Sequence, residues 1–272
     1  MKAFKGKAIY NPSGKAGEYS AWACNFFVGC SNGCKYCYLK KGIGAKVLGG
    51  NAPILKKCFK DEKDALDIFE KEVLANVDEL RKHGIFFTFT SDPMLPETIS
   101  LTFDAIGICF KHNVPVKVLT KRSDWWDMWY ARSNMFVDKQ HLIAFGFTLT
   151  GADELEPNAS PNMNRILAMT RLQKAGFKTW ASIEPIVDLD SSFKMIVRSM
   201  GSCDLYKIGL ESGKKYDKKE LLEFISSVMH LNNGGKHLKI YFKDRLLKMA
   251  NIDRSSLLEN CVDRDYDMFQ DK

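Results

Sequence analysis

Six short runs of the chain, all after residue 60, are rich in apolar and β-branched residues. They are IFFTFTSD (85–92), PVKVLTKR (115–122), HLIAFGFTLT (141–150), KTWASIEPIVD (178–188), DLYKIGLES (204–212) and HLKIYFKD (237–244). Runs that are apolar at both alternating positions are typical of strands buried on both faces. We therefore predict six strands, and several of them end in polar residues.

Longer segments with helical spacing of apolar residues lie between these runs. Residues 62–82 predict one helix, with Gly84 placed to end it. Residues 160–176 and 216–230 predict two more. The alternation of strands and helices predicts a parallel sheet with right-handed crossovers, either a (β/α) barrel or an open doubly wound sheet. The carboxyl ends of such strands are where chemistry is expected.

The chain contains no linker or low-complexity stretch, so we expect a single domain over residues 1–272. Within it we distinguish a basic region with a cysteine-rich loop (1–60), strand–helix repeats (61–250) and a tail (251–272) whose acidic end, DRDYDMFQDK, is expected to be loosely ordered.

The composition is that of a globular protein, with 45% apolar and 27% charged residues. No apolar run approaches the roughly 20 residues of a membrane span. The opening MKAFKGKAIY lacks the apolar core of a signal peptide. These features predict no membrane partner and favour a reducing cytoplasm.

The formal charge of +7 is unevenly distributed. Residues 1–60 contain eleven lysines and one acid, Glu18, for a net charge of +10. This excess coincides with the cysteine-rich loop, so it favours a polyanionic partner or substrate there, although a solvated face is the alternative.

Three of the eight cysteines, Cys30, Cys34 and Cys37, lie within eight residues. This spacing is unlike a secreted disulfide framework and favours metal binding. Three thiolates cannot complete a tetrahedral zinc site, and neither Cys24, expected in a strand, nor His83 is a convincing fourth ligand. In a four-iron cluster, three thiolates leave one iron open to another ligand. Cys109 and Cys203 lie among apolar residues and are predicted to pack in the core.

The C-x3-C-x2-C pattern, with an aromatic residue before the last cysteine, resembles the radical S-adenosylmethionine (radical SAM) enzymes. The resemblance implies a partial (β/α) barrel of about six parallel strands, with the cysteine-rich loop after the first strand. It also implies a [4Fe–4S] cluster that binds SAM and cleaves it, on reduction, to methionine and a 5′-deoxyadenosyl radical. A reductant such as flavodoxin or ferredoxin would be a partner.

A closer resemblance, over roughly residues 10–212, is to the spore photoproduct lyase-like group of DNA repair enzymes. It rests on NFFVGCSNGCKYCYL, the strand ends Thr90–Pro93 and Thr120–Lys121, and Leu155–Pro157 followed by Arg165 and Ala175–Gly176. The resemblance implies that Cys30, Cys34 and Cys37 hold the cluster. It implies that the SAM site is lined by Tyr38, Ser91, Lys121 and Thr148.

The chain departs from that group at two places. In the lyase a cysteine just before the Ser-Asp pair returns a hydrogen atom to the product radical, but this chain has Phe89 and Thr90 there. Cys58 and Cys109 lie elsewhere in sequence, and either could approach in the fold. The departure argues against thymine-dimer splitting by the lyase's full mechanism. KIGLES and KIYFKDRL resemble a phage-associated group of radical SAM proteins instead.

Three functions compete at this point. The first is a radical SAM enzyme that repairs or modifies nucleic acid, supported by the basic first 60 residues. The second is the same chemistry on a peptide or small metabolite, whose cationic group would lie near Glu184 and Glu211. The third is a non-catalytic metal-containing nucleic-acid-binding protein. Trp125, Trp126 and Trp129 are either core residues or a base-stacking platform.

Overall fold

The computed structural model describes residues 3–42 and 44–270. Residues 1–2 of the basic region, residue 43 and residues 271–272 of the tail lie outside the described residues. Within the described part the strands are β1 Ile9–Tyr10, β2 Ala23–Cys24, β3 Phe27–Val28, β4 Ile54–Leu55, β5 Ile85–Phe87, β6 Val116–Thr120, β7 Ile143–Thr148, β8 Lys178–Ile186, β9 Leu205–Leu210, β10 Asn232–Asn233, β11 Lys236–His237 and β12 Ile240–Phe242.

The α-helices of the described residues are α1 Gly14–Gly17, α2 Ala45–Leu48, α3 Glu62–Ala75, α4 Val77–His83, α5 Ile99–Lys111, α6 Trp126–Ala131, α7 Asn162–Lys174, α8 Leu189–Ser199, α9 Lys218–Met229 and α10 Asp244–Ala250. The helix predicted over 62–82 is divided at Asn76, whose φ of −130° is not helical. Gly84 ends α4 with a φ of 66°, as predicted.

The main sheet has the strand order β1-β2-β5-β6-β7-β8-β9-β12. Every pair except the antiparallel β1–β2 is parallel, and the parallel strands follow one another in chain order. All six apolar runs form strands of this sheet, and β2 is a seventh parallel strand. The protein is therefore α/β with a mostly parallel eight-stranded sheet. This order is compatible with a partial barrel; within the described residues β1 and β12 do not pair to close it.

The two faces of the sheet are covered differently. Side chains such as Phe87, Val118 and Phe145 belong to a large core that includes residues of α3, α5, α7, α8 and α9. The opposite side, here called the inner face, carries Phe86, Ala144, Trp180 and Leu205. Because the long helices α3, α5, α7, α8 and α9 pack on the first face, the inner face is left to hold a site.

One end of the inner face is closed by the tail. Met268 is 4% exposed and packs with Phe86 and Trp180, and Tyr266 and Phe269 contact the same cluster. The expectation of a loosely ordered acidic end was wrong over these residues, because their apolar side chains bury the sheet residues. Among the described residues, no helix has the length and apolar character needed to cross a membrane.

Candidate functional site

A cavity of about 380 Å³ opens on the inner face at the carboxyl ends of the parallel strands. Its volume lies within the roughly 300–1,000 Å³ of small-molecule sites. All seven predicted site residues line it: Cys30, Cys34, Cys37, Tyr38, Ser91, Lys121 and Thr148. A more open groove of about 550 Å³, beside the first half of α7, contains none of them.

The cysteine-rich loop follows β2 and β3 and turns at two glycines with positive φ, Gly29 (86°) and Gly33 (70°). A Cβ on Gly29 would lie 2.3 Å from the carbonyl oxygen of Ala52, so only glycine fits there. The two glycines thus set the backbone turns of the cysteine-rich loop, and its role in holding a cluster stays a prediction.

The three thiols of the loop border the 380 Å³ cavity together and also share a smaller one of about 20 Å³. Cys34 is buried, and Cys30 and Cys37 are half-buried. Within the described residues no three His, Cys, Asp or Glu side chains form a group that could hold a metal ion as they stand. The fold thus brings the thiols to one cavity, and the donor set of three thiols without a fourth fits a cluster with one open iron.

Two of the three thiols, Cys30 and Cys34, lie in surroundings that raise their pKa. Burial, with the carboxylate of Asp92 adding to it, raises the pKa of Cys30 to about 12, while Lys121 opposes the rise. Burial also raises the pKa of Cys34, which Lys121 again lowers and Glu156 raises. Metal binding would therefore release protons, because thiolates are the ligands.

Asp92 joins the cysteine-rich loop to two strand ends. Its Oδ2 accepts hydrogen bonds from Asn32 Nδ2 and the Lys121 amide, both at 2.8 Å. Its Oδ1 accepts from Thr120 Oγ1 at 2.6 Å and the Met94 amide at 3.0 Å. The carboxylate therefore makes a local hydrogen bond within its own turn, to the Met94 amide, and also fixes the cysteine-rich loop against the end of β6.

Ser91 and Asn32 supply polar atoms without protein partners in this cavity. The Ser91 hydroxyl and the Asn32 Oδ1 are buried, line the cavity and make no hydrogen bond within the described residues. Buried polar atoms are normally hydrogen-bonded. These two orphaned atoms therefore fit a polar ligand beside the thiols.

Lys121 is half-buried and lies over the ring of Tyr36, with 5.6 Å from Nζ to the centroid. No carboxylate of the described residues lies within ion-pair distance of it. A cation beside the thiols, free of an ion pair, is suited to an anionic ligand group.

Thr148 and Tyr38 differ in their exposure. Thr148, the last residue of β7, is 3% exposed. Tyr38, one residue after the last cysteine, is 59% exposed and donates its hydroxyl hydrogen bond to the carbonyl of Phe89. Both remain at the cavity wall.

A buried ion pair is linked to the cysteine-rich loop through a hydrogen bond from Tyr36. The side chains of Glu156 and Arg165 are fully buried and form a salt bridge, and Tyr36 donates a hydrogen bond to Glu156. Arg165 also donates to the carbonyls of Ser160 (2.7 Å) and Thr148 (2.8 Å). Glu156 and Arg165 entered the sequence analysis only through the family resemblance, and nothing in their local pattern shows this linking role.

The same cavity carries a second polar group, formed by Tyr19, Ser182, Glu184 and Lys243. Lys243 is 2% exposed, and its Nζ lies 2.6 Å from Glu184 Oε2. The Tyr19 hydroxyl donates to the same oxygen at 2.6 Å. Only Glu184 of this group, with Glu211 nearby, was named from the sequence, because Tyr19 and Lys243 reach it from opposite parts of the chain.

The lysines around the cysteine-rich loop form an exposed basic face. Their partners in the described residues are mostly neutral oxygens, and only Lys41 makes an ion pair, 3.5 Å from Glu211. The exposed members near the loop are Lys35, Lys40, Lys41, Lys46 and Lys57.

Several alternatives raised by the sequence are resolved by position. Cys58 is exposed, Cys109 is buried on α5, and neither lines the cavity, so neither replaces the missing thiol donor. Cys24 in β2 and His83 in α4 do not line it either, which leaves zinc without a fourth ligand from these two. Trp125 is 4% exposed and packs with Trp126, so core packing prevails over base stacking there.

No protein-family model matches the chain, and no curated protein sequence matches it significantly.

Proposed function

We propose that this protein is a radical SAM enzyme whose cysteine-rich loop holds a [4Fe–4S] cluster. The observation that carries the proposal is the convergence of Cys30, Cys34 and Cys37 with Ser91, Lys121 and Thr148 on one cavity. These six residues come from a loop and from the ends of three neighbouring strands, so their meeting is a property of the fold and not of one motif.

The chain's own residues would divide the work within the cavity. The three thiols are the ligands of the cluster, which when bound and reduced supplies the electron for reductive cleavage of SAM. Lys121 would pair with the carboxylate of SAM, since a charge-assisted contact is strong in a half-buried site. Ser91 and Asn32 would donate or accept the hydrogen bonds that they lack in the free protein.

We further propose that the substrate is nucleic acid. The basic face around the loop offers lysines with few acidic partners, and phosphate contacts there would place a base near the cavity mouth. The second candidate is a peptide or small metabolite, favoured by the carboxylates of Glu184 and Glu211 in the cavity wall. The proposed reaction on the nucleic acid is either the repair of a base or another modification of it. We also propose that the protein acts in the cytoplasm.

Anaerobic reconstitution with iron and sulfide tests the cluster. The wild type should take up about four irons per chain, and Cys34→Ala should lose the iron–sulfur absorbance. Cys58→Ala is the matched control, because Cys58 is exposed and outside the cavity. Cluster uptake by Cys34→Ala equal to that of Cys58→Ala would refute the ligand assignment.

Incubation of the reduced, reconstituted protein with SAM tests the reaction. We expect 5′-deoxyadenosine, measured by chromatography, with wild type and none with Cys34→Ala. Binding of nucleic acid without SAM cleavage by a fully reconstituted, reduced protein would instead identify a non-catalytic binding protein.

A further inference from the structure

The second polar group of the cavity is built around one carboxylate. Lys243 Nζ lies 2.6 Å from Glu184 Oε2 and 3.7 Å from Glu18 Oε2, and it also donates to the Lys15 carbonyl at 3.1 Å. Gly209 on β9 makes room for the pair, since a Cβ there would lie 2.8 Å from Glu184 Oε1 and 2.7 Å from the Lys243 side chain.

Counting hydrogen bonds shows what this group still offers to a ligand. Lys243 donates hydrogen bonds to Glu184 Oε2 and the Lys15 carbonyl, and its ion pair with Glu18 spans 3.7 Å. The Tyr19 hydrogen is donated to Glu184 Oε2. Ser182 is 1% exposed and bonded to Tyr19 at 2.7 Å. The remaining atom, Glu184 Oε1, makes no hydrogen bond in the described residues and is not among the fully buried atoms.

Glu184 Oε1 is therefore an acceptor that is held in place by its neighbouring oxygen and is reachable from the cavity. An ionised carboxylate accepts hydrogen bonds and donates none. The walls beside it include the aromatic side chains of Tyr19 and Phe89. A planar group that carries an N–H donor at its edge matches both features.

We propose that Glu184 is the substrate-recognition residue of this cavity and accepts a hydrogen bond from the exocyclic amino group of a nucleobase. Carboxylates read cytosine through its N4 amino group in this way. The inference rests on the proposed nucleic-acid substrate, which the basic face beside the cavity favours over an amine of a peptide or metabolite. Glu184 would therefore favour bases that carry an exocyclic amino group over bases that carry a carbonyl oxygen at the same position.

The test compares two single-stranded oligonucleotides of equal length, one of deoxycytidine and one of deoxyuridine, by fluorescence anisotropy at one salt concentration. Their phosphates are identical and their bases differ in the amino or oxo group alone. A hydrogen bond to a charged acceptor implies about tenfold tighter binding of the deoxycytidine strand. Glu184→Met should remove the difference, and Glu223→Gln, at an exposed pair with Lys219 outside the cavity, should keep it.

Glu184→Met is expected to fold, because Lys243 retains Glu18 as its carboxylate partner; circular dichroism checks this. Glu184→Gln, which keeps the shape and loses the charge, should reduce the preference if the methionine variant does not fold. Equal binding of both strands by wild type, or a preference unchanged in the Glu184 variants, would overturn the proposal.

Failure to bind either strand would also overturn it. SAM binding measured on the same reconstituted protein then shows separately whether the radical SAM proposal stands. A third experiment measures the thermal stability of the protein with N-acetyl-lysine methylamide, which carries the amine of a lysine side chain. If this amine stabilises the protein in a Glu184-dependent way and the oligonucleotides show no preference, the ligand of Glu184 is a peptide amine and not a nucleobase.

Discussion

Removal of the Arg165 guanidinium tests the ion pair that supports the cysteine-rich loop. In Arg165→Met the fully buried carboxylate of Glu156 loses its counter-charge, and the carbonyls of Ser160 and Thr148 lose a donor. Breaking a buried pair on one side costs about 3–5 kcal/mol. Each carbonyl left without a donor adds about 1 kcal/mol or more. We therefore expect a loss of at least about 5 kcal/mol in the free energy of unfolding.

Equilibrium unfolding of the metal-free protein in guanidinium chloride measures this loss. The matched control is Arg132→Met, because Arg132 pairs with Asp104 where the two side chains are 32% and 42% exposed. An exposed pair contributes about 0–1 kcal/mol.

A double variant, Glu156→Met with Arg165→Met, separates the charge from the packing. It should recover part of the stability, since apolar replacement of a whole buried pair is often neutral. Equal losses for Arg165→Met and Arg132→Met, or no recovery in the double variant, would refute the reasoning. Because Tyr36 bonds to Glu156, the single variant should also react faster than wild type with a thiol reagent at Cys34.

Three further predictions concern the ligand, the basic face and the core. Lys121→Met should raise the Kd for SAM about tenfold or more without lowering stability; calorimetry showing an unchanged Kd would mean a merely structural lysine. Reversal of Lys40, Lys41 and Lys46 to Glu should weaken single-stranded DNA binding and flatten its log–log salt slope by about 0.7 per lost phosphate contact, leaving cluster absorbance intact. An unchanged slope in a salt titration would contradict this. Burial raises the pKa of Cys109, so only the folded state keeps that proton at high pH. Relative to Cys109→Ala, the free energy of unfolding of the wild type should fall about 1.4 kcal/mol per pH unit above about pH 9. The same pH dependence of the free energy of unfolding in both proteins would contradict this prediction.

The elements that the sequence predicts well are those whose signal is local. Each of the six apolar runs contains a strand, because strands covered on both faces must be apolar at successive positions. The break at Asn76 is harder to foresee. The side-chain amide of Asn76 donates a hydrogen bond to the carbonyl of Glu72 at 2.8 Å. A single asparagine in an amphipathic segment does not by itself predict such a side-chain hydrogen bond to the backbone.

The candidate site divides in the same way. The grouping of the thiols follows from their spacing, whereas Ser91, Lys121 and Thr148 were assigned through the family resemblance. The second polar group of the cavity joins Tyr19, Glu184 and Lys243, which are far apart in sequence and come together only through the strand order. No periodicity relates such residues, so the structure was needed to find them.

The placement of Met268 against Phe86 and Trp180 has a consequence for how the protein is made. The ribosome delivers residue 86 long before residue 268, so the inner face of β5 stays uncovered at this end while most of the chain is synthesised. Contacts over such sequence separations are slow to form. During that interval the apolar face is open to chaperones or to aggregation. A nascent chain stalled before residue 262 would therefore have a nearly complete sheet whose apolar inner face is exposed to solvent at this end.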